Sequence, residues 1–497
     1  MSLLKIVSVI GVSTIVNLFS GFVKGKIMAV YFGSGCLGIW SQATNFFMIG
    51  SIISLFGLNQ GLIKQIAGRD KDKNTGTFVY DTLSKSVFFS LFNSLVISAV
   101  IIFWAKGVSA FFFNSNLSPI MIMLITMFLV FQVVGDVLGV FLLANKEIKR
   151  FSLANILISI FGLVSFIALI FLFSVRGAYL SVGIYGIITF ASFYFISKPL
   201  LKGASIGIFS FHTRFLKYWD FFKETLNFGA LRLIQVTINP ITMLLVRSLI
   251  IKKIGLAENG FFDVLTRISV IYAPFITNIL WSYTFPIYCE NRDNRQLGSE
   301  INKFIRLSLI LFVPVCVILM LSGNVVVNLL FSRGFAPIIP LLYLWFLLDL
   351  FRVTSWPLNI VLIAKDKMKL AVSLEFFWNM IFLFSTYALI GRYSLKGVIF
   401  SYAMSFAIFL LINWLIMYKT YLFKFNPRTI FAFLASTALI LTCGRPAKAL
   451  PDFIFIFFLG LIFFYLVLDK KEMLLIRDVI KKRLKEGPVI LNTNEEI

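Results

Sequence analysis

The chain has little of what metal-dependent or soluble chemistry requires. His212 is the only histidine among 497 residues, which excludes a multi-histidine metal centre. The four cysteines, Cys36, Cys289, Cys316 and Cys443, share no spacing. They suit helix packing, not a metal motif or a disulfide framework. Charge is scarce, at 14% of residues, and Asp and Glu number 22 against 46 Lys and Arg. Long polar stretches are missing too. Residues 105–117 form the longest connection on the side poorer in Lys and Arg. That is too short for an ordered loop carrying catalytic carboxylates, which argues against a membrane polymerase or glycosyltransferase. No cofactor-binding motif appears.

Hydrophobic sequence is abundant instead. The chain is 59% hydrophobic with a mean hydropathy of +0.93. Apolar runs long enough for a spanning helix, about 20 residues, recur along almost its whole length. The expected class is an all-α polytopic membrane protein with about fourteen transmembrane helices. The spans are read at 4–31, 39–66, 79–104, 118–144, 152–173, 177–197, 224–250, 260–289, 304–330, 338–364, 370–390, 394–418, 428–443 and 452–468. The first span follows a lone Lys5 without a small-residue cleavage site, as in an uncleaved first helix.

The net charge of +24 sits in loops at alternate helix ends, a topology signal and not a nucleic-acid surface. Lys71, Lys73, Lys146, Lys149, Arg150, Lys198, Lys202, Lys365, Lys367 and Lys369 fall on one side, with the basic tail. Lys106, Arg176, Arg333, Arg392 and Lys396 fall on the other, as does the local exception Lys252-Lys253. Positive loops stay cytoplasmic, so both termini are expected inside the cell.

The chain also repeats its landmarks. Gly33 and Gly38 bracket a short turn, and Gly255 and Gly260 bracket another 222 residues later. Arg69-Asp70 recurs as Arg292-Asp293 at 223, Ala144-Asn145-Lys146-Glu147 as Ala364-Lys365-Asp366-Lys367 at 220, and Gly177 as Gly397 at 220. Four matches in one order point to a duplicated unit of six spans. Two pseudo-symmetric six-helix bundles are therefore expected at 1–198 and 224–418. An amphipathic cytoplasmic connector lies at 199–223, an extra helix pair at 428–468 and a basic cytoplasmic tail at 469–497. The connector carries Phe211, Phe215, Trp219 and Phe222 at helical spacing, and it either lies in the interface or docks a protein.

The first seventy residues carry a more specific pattern. Gly25-Lys26-Ile27-Met28-Ala29-Val30-Tyr31-Phe32-Gly33, with Leu37-Gly38 after it, resembles the Wzx-type lipid-linked oligosaccharide flippases. Those belong to the multidrug/oligosaccharidyl-lipid/polysaccharide exporter superfamily. The segment NQGLIKQIAGRDKDKN, which leads from the second span into a basic loop, fits the same pattern. The helix pair after Phe425 departs from the basic twelve-helix layout. The resemblance implies a cargo of undecaprenyl-diphosphate-linked glycan, such as an O-antigen or capsule unit, moved from the inner to the outer leaflet. It implies a central cavity lined mainly by helices 1, 2, 7 and 8, with ion-coupled alternating access. The implied partners are membrane lipids, and a polymerase and chain-length regulator of the same pathway; nucleic acid is not among them.

Ionisable residues inside spans are costly and are candidates for function. For the diphosphate these are Lys24, Lys26, Arg232, Arg247 and Arg267. Lys24 shifted by the repeat offset falls within one residue of Arg247, so matched cations are expected in both halves. Lys24, Lys26 and Arg247 either line the cavity or snorkel to the interface. Asp263 is the first candidate for ion coupling, beside Arg267 one turn on, and Asp136 the second, with no partner in its own helix. Asp349 and Arg352 share a face further along; like Asp263–Arg267, they are either structural pairs or parts of the transport machinery. The basic excess disfavours an exporter of organic cations, and a passive scaffold would not need charges at matched depths.

Reporter fusions at Lys202 and Glu486 are expected to give cytoplasmic signals. A periplasmic signal at either position reverses the topology.

Overall fold

The computed structural model describes residues 3–67, 75–201, 215–291 and 293–443, and no strand occurs among them. The protein is an all-α, multi-pass membrane protein. Its chain divides into two compact units. The first comprises Met1–Ser269, Asn324–Leu341 and Lys367–Ser405; the second comprises Val270–Gly323, Leu342–Asp366 and Phe406–Ile497. The expected connector segment 202–214, the last span, the basic tail and the repeat markers Arg69, Asp70 and Arg292 lie outside the described residues.

The helices run α1 (Leu3–Tyr31), α2 (Gly33–Leu55), α3 (Leu58–Ala67), α4 (Thr75–Phe103), α5 (Ala105–Phe113), α6 (Pro119–Met127), α7 (Leu129–Ala144) and α8 (Ile148–Leu201). They continue with α9 (Phe215–Lys253), α10 (Leu256–Ile279), α11 (Phe285–Glu290), α12 (Asn294–Leu321), α13 (Gly323–Leu330), α14 (Ile339–Ala364), α15 (Met368–Tyr421) and α16 (Pro427–Cys443). In the first unit α1 and α7 pack along α8, and α2 packs along α9. In the second, α12 packs on α16, and Asn302 bonds to the Lys424 carbonyl at 3.0 Å.

Two helices exceed any bilayer. α8 and α15 hold 54 residues each, roughly 80 Å at the α-helical rise, against a hydrocarbon core of about 30 Å. Each is two spans joined at a serine in a left-handed conformation, Ser174 (φ 54, ψ −137) and Ser394 (φ 50, ψ −136). The chain doubles back so tightly that a Cβ on Gly177 would lie 1.9 Å from the Leu169 carbonyl oxygen, and one on Gly397 would lie 2.6 Å from that of Leu389. All three pairs, 174/394, 177/397 and 169/389, are 220 apart. Lys146 (φ 60) and Asp366 (φ 56) repeat at the same offset. The repeat offset read from the sequence thus recurs in the backbone angles of these turns.

Several boundaries differ from the sequence expectation. The second span does not run to 66: the chain breaks at Phe56-Gly57, both at positive φ, before α3. The eighth span passes through a π-helical turn, Leu280–Thr284, before α11. Gly33 and Gly255 make the expected turns, at φ +76 and +115. Gly38 and Gly260 do not: both lie inside helices, where α2 meets α10.

Gly177→Ala is expected to lower the unfolding midpoint in detergent, because the added methyl has no room; overpacking of this kind costs about 1–3 kcal/mol. Gly391→Ala, where a Cβ meets nothing within 4 Å, should leave the midpoint unchanged or raise it slightly. Equal midpoints for the two variants would refute the tight reversal.

Candidate functional site

A cavity of about 660 Å³ lies within the first unit. Its wall is built by residues of α1, α2, α3, α7 and both arms of α8, together with Arg267 of α10. Trp40 and Leu55, both on α2, are wall residues, so the cavity follows that helix for roughly 22 Å. Its composition is not that of helix packing. Neutral polar side chains such as Asn17, Asn59, Gln132 and Asn155 alternate with the rings of Phe47, Phe151, Tyr185 and Phe193. This cavity lies inside the first unit and draws on a different set of helices from the expected central one. The seventh span, α9, contributes none of the lining residues, and the eighth contributes Arg267 alone.

Of the expected cations, the structure brings Lys24 and Arg267 to the cavity. Lys24 Nζ lies 5.2 Å from the centre of the Tyr185 ring and forms no ion pair among the described residues. The Arg267 guanidinium sits 5.2 Å over Trp40. Lys26 turns elsewhere: its ammonium donates to the carbonyls of Asn328 (2.8 Å) and Leu329 (2.6 Å) at the end of α13. There it satisfies carbonyls that a helix C-terminus leaves unpaired. Arg232 is on α9, but its side chain lies outside the described residues.

Arg247 is not a free cavity cation. It is 6% exposed and donates to Asp263 at 3.0 Å, to Ser41 at 2.9 Å and to Thr266 at 3.2 Å. Asp263, 3% exposed, accepts from Arg267 as well, at 2.6 Å, and from the Ser41 hydroxyl. One buried carboxylate is thus clamped by two guanidiniums and ties α2 to α9 and α10. The physical reason is solvation. A guanidinium this deep needs a counter-charge and hydrogen bonds. Asp263 on the neighbouring helix supplies them better than the cavity does.

A turn away, Gly38 and Gly260 bring α2 and α10 into backbone contact. A Cβ on Gly260 would lie 2.0 Å from the Ser34 carbonyl oxygen, and one on Gly38 would lie 2.8 Å from the Gly260 nitrogen. Asn259 donates to the Gly38 carbonyl at 2.8 Å.

Asp136 lines the cavity but does have a partner in its own helix. Gln132, one turn earlier, donates to it at 2.9 Å, and Ser51 of α2 donates at 2.8 Å. The partner in its own helix is a neutral amide at the i−4 position, which carries no charge signal in the sequence. In the second unit, Asp349 pairs with Arg352 at 2.6 Å and accepts from the Tyr272 hydroxyl. Both members of that expected pair are therefore engaged within the protein.

The family described as polysaccharide biosynthesis protein matches residues 27–340. Teichuronic acid biosynthesis protein TuaB of Bacillus subtilis (strain 168) is 26% identical over 203 residues, 39% of this chain and 41% of that relative's length. The fold matches lipid II flippase MurJ in its inward closed conformation (TM-score 0.70, 14% identity, 95% of this chain and 99% of that one). It also matches an inward-facing multidrug resistance MATE family transporter of the MOP superfamily (TM-score 0.61, 18% identity, 88% and 96%).

Asp263→Ala should destabilise the protein by about 3–5 kcal/mol, because it strands Arg247 without its counter-charge. Arg247→Met combined with Asp263→Ala should cost less than the sum of the two single changes, as measured by detergent unfolding. Additive losses would mean that the pair is not coupled.

Proposed function

This chain belongs to the polysaccharide biosynthesis protein family, and from that premise we propose that it is a flippase for a lipid-diphosphate-linked glycan. It carries the glycan from the inner to the outer leaflet of the cytoplasmic membrane by alternating access, and it makes or breaks no bond in its cargo. The observation that carries this reading is Lys24, a cation on a cavity wall inside the membrane with no ion-pair partner among the described residues. A charge held there is costly unless it serves an anion that comes and goes. Arg267 shares its wall, and a diphosphate supplies the complementary charge. The names of the matched proteins, a teichuronic acid biosynthesis protein and a lipid II flippase, support the same class of cargo. An exporter of organic cations shares the fold, but Lys24 and Arg267 would repel its substrates.

With both termini cytoplasmic and six spans per repeat, the turn between α1 and α2 faces outward. The backbone contact of Gly38 and Gly260 then closes the outer gate, and the Asp263 clamp lies just behind it. Outward opening requires α2 to part from α10, which breaks both. Asp263 is the coupling carboxylate in this scheme, because a proton or cation bound there competes with two guanidiniums for the same oxygens.

In liposomes holding the purified protein and its lipid-linked glycan, Lys24→Ala should slow flipping by about tenfold or more, the value of a lost charge-assisted contact. Lys24→Arg keeps the charge with altered geometry and should retain part of the rate. Wild-type flipping by the Ala variant at matched protein level would remove Lys24 from the transport path.

A further inference from the structure

Beside its two cations, the cavity carries a second kind of chemistry. Three of its lining residues carry a buried polar atom with no hydrogen-bond partner: Trp40 Nε1, Asn59 Oδ1 and Gln132 Oε1. Trp40 is only 7% exposed. Each such atom costs about 1–3 kcal/mol if nothing ever meets it. The orientation of Gln132 is set by its neighbour. Its NH₂ donates to Asp136, and the reverse placement would press the amide oxygen against a carboxylate. Oε1 is therefore an acceptor left over. Asp136 takes two hydrogen bonds from protein, while a carboxylate has room for about four. Acceptors thus predominate along this stretch, with one indole donor and with aromatic rings between them. Free hydroxyl groups on a ring with an apolar face meet both demands, donating to the acceptors and stacking on the rings.

The second half of the chain places different groups at the equivalent positions. At the repeat offset of 220, Gln132 and Asp136 correspond to Arg352 and Trp356. The Arg352 guanidinium lies 5.3 Å over the Trp356 ring and 2.6 Å from Asp349. There an ion pair and an indole occupy the positions that the first half gives to an amide and a carboxylate. A divalent metal is a poor fit for the cavity, since no group of three His, Cys, Asp or Glu side chains gathers among the described residues. An organic cation would meet Lys24.

We propose that this cavity is where the sugar itself is recognised: Asp136, Gln132 and Asn59 accept hydrogen bonds from hydroxyl groups of an oligosaccharide, and the Trp40 indole donates to one of its oxygens. Selection among glycans resides on neutral and acidic residues of α2, α3 and α7, with Trp40 adjoining the Arg267 guanidinium that helps take the anionic linker. A volume of about 660 Å³ lies within the usual 300–1,000 Å³ of small-ligand pockets, so it takes a short oligosaccharide and not a polymer. The proposal rests on the transport reading but is separable from it.

The test uses the full-length protein in nanodiscs with two probes. One is the oligosaccharide released by mild acid from the host's own lipid-linked pool; the other is undecaprenyl diphosphate without sugar. The wild type should bind both. Gln132→Ala and Asn59→Ala should each weaken the oligosaccharide by about tenfold, one hydrogen bond's worth, and leave undecaprenyl diphosphate unchanged, which also shows the variants folded. Lys24→Ala should do the reverse. The proposal is overturned if the wild type binds the lipid but not the oligosaccharide, or if both amide variants bind the oligosaccharide as tightly as wild type. It is also overturned if Asp136→Asn abolishes the pH-gradient dependence of flipping while sparing oligosaccharide affinity, since Asp136 would then be a proton site. Failure of the transport reading looks different: lipid-linked glycan would not be flipped in liposomes at all.

Discussion

A carboxylate shared by two arginines holds the site together. Asp263 is a single buried charge, and both Arg247 and Arg267 depend on it. Because the three side chains come from α9 and α10, and Ser41 joins from α2, the network fixes how three helices meet in the first unit. It also decides which cations remain available. Arg247 is consumed. Arg267 is partly neutralised but keeps a face toward the cavity, stacked on Trp40. Lys24 is left as the cavity cation with no carboxylate partner among the described residues. The electrostatic character of the cavity therefore follows from a bond network beside it.

The close approach of α2 and α10 has the same dependence. The backbones of α2 and α10 come together only if no side chain holds them apart, and Gly38 and Gly260 meet that condition. Neither glycine is there for its backbone freedom, unlike Gly33 and Gly255 five residues before them. The four glycines look alike in the sequence and do two different jobs.

That distinction marks what the sequence can disclose. Hydrophobic runs, loop charges and recurring landmarks give the class and the duplication, because lipid imposes those patterns on every segment independently. The reversals at Ser174 and Ser394 were legible as gaps between runs, although nothing about serine announces a left-handed residue. The cavity was not legible in the same way. Searching for charge found Lys24, Arg267, Asp136 and Asp263 and equally found Arg247, whose role is settled by a partner sixteen residues away on another helix. Gln132, Asn59 and Trp40 were missed because neutral polar and aromatic residues are common in membrane helices. Only the shape of the space between helices separates those that line it from those that pack. A useful signal was the spacing of Gln132 and Asp136, one turn apart on one face.

The Arg352–Trp356 pair has a wider consequence. Duplication gave the chain two copies of one scaffold, and at positions 132/352 and 136/356 the copies have taken different trades. Substitutions at 352 and 356 touch an ion pair and its stacked ring, so they are screened by whether the protein folds. Substitutions at 132 and 136 face an open space, where a change of size or polarity disturbs packing less. The first half can therefore accept change at these two positions while the second keeps its packing intact, so that the adaptable part and the invariant part of the chain sit at matched positions of its two halves.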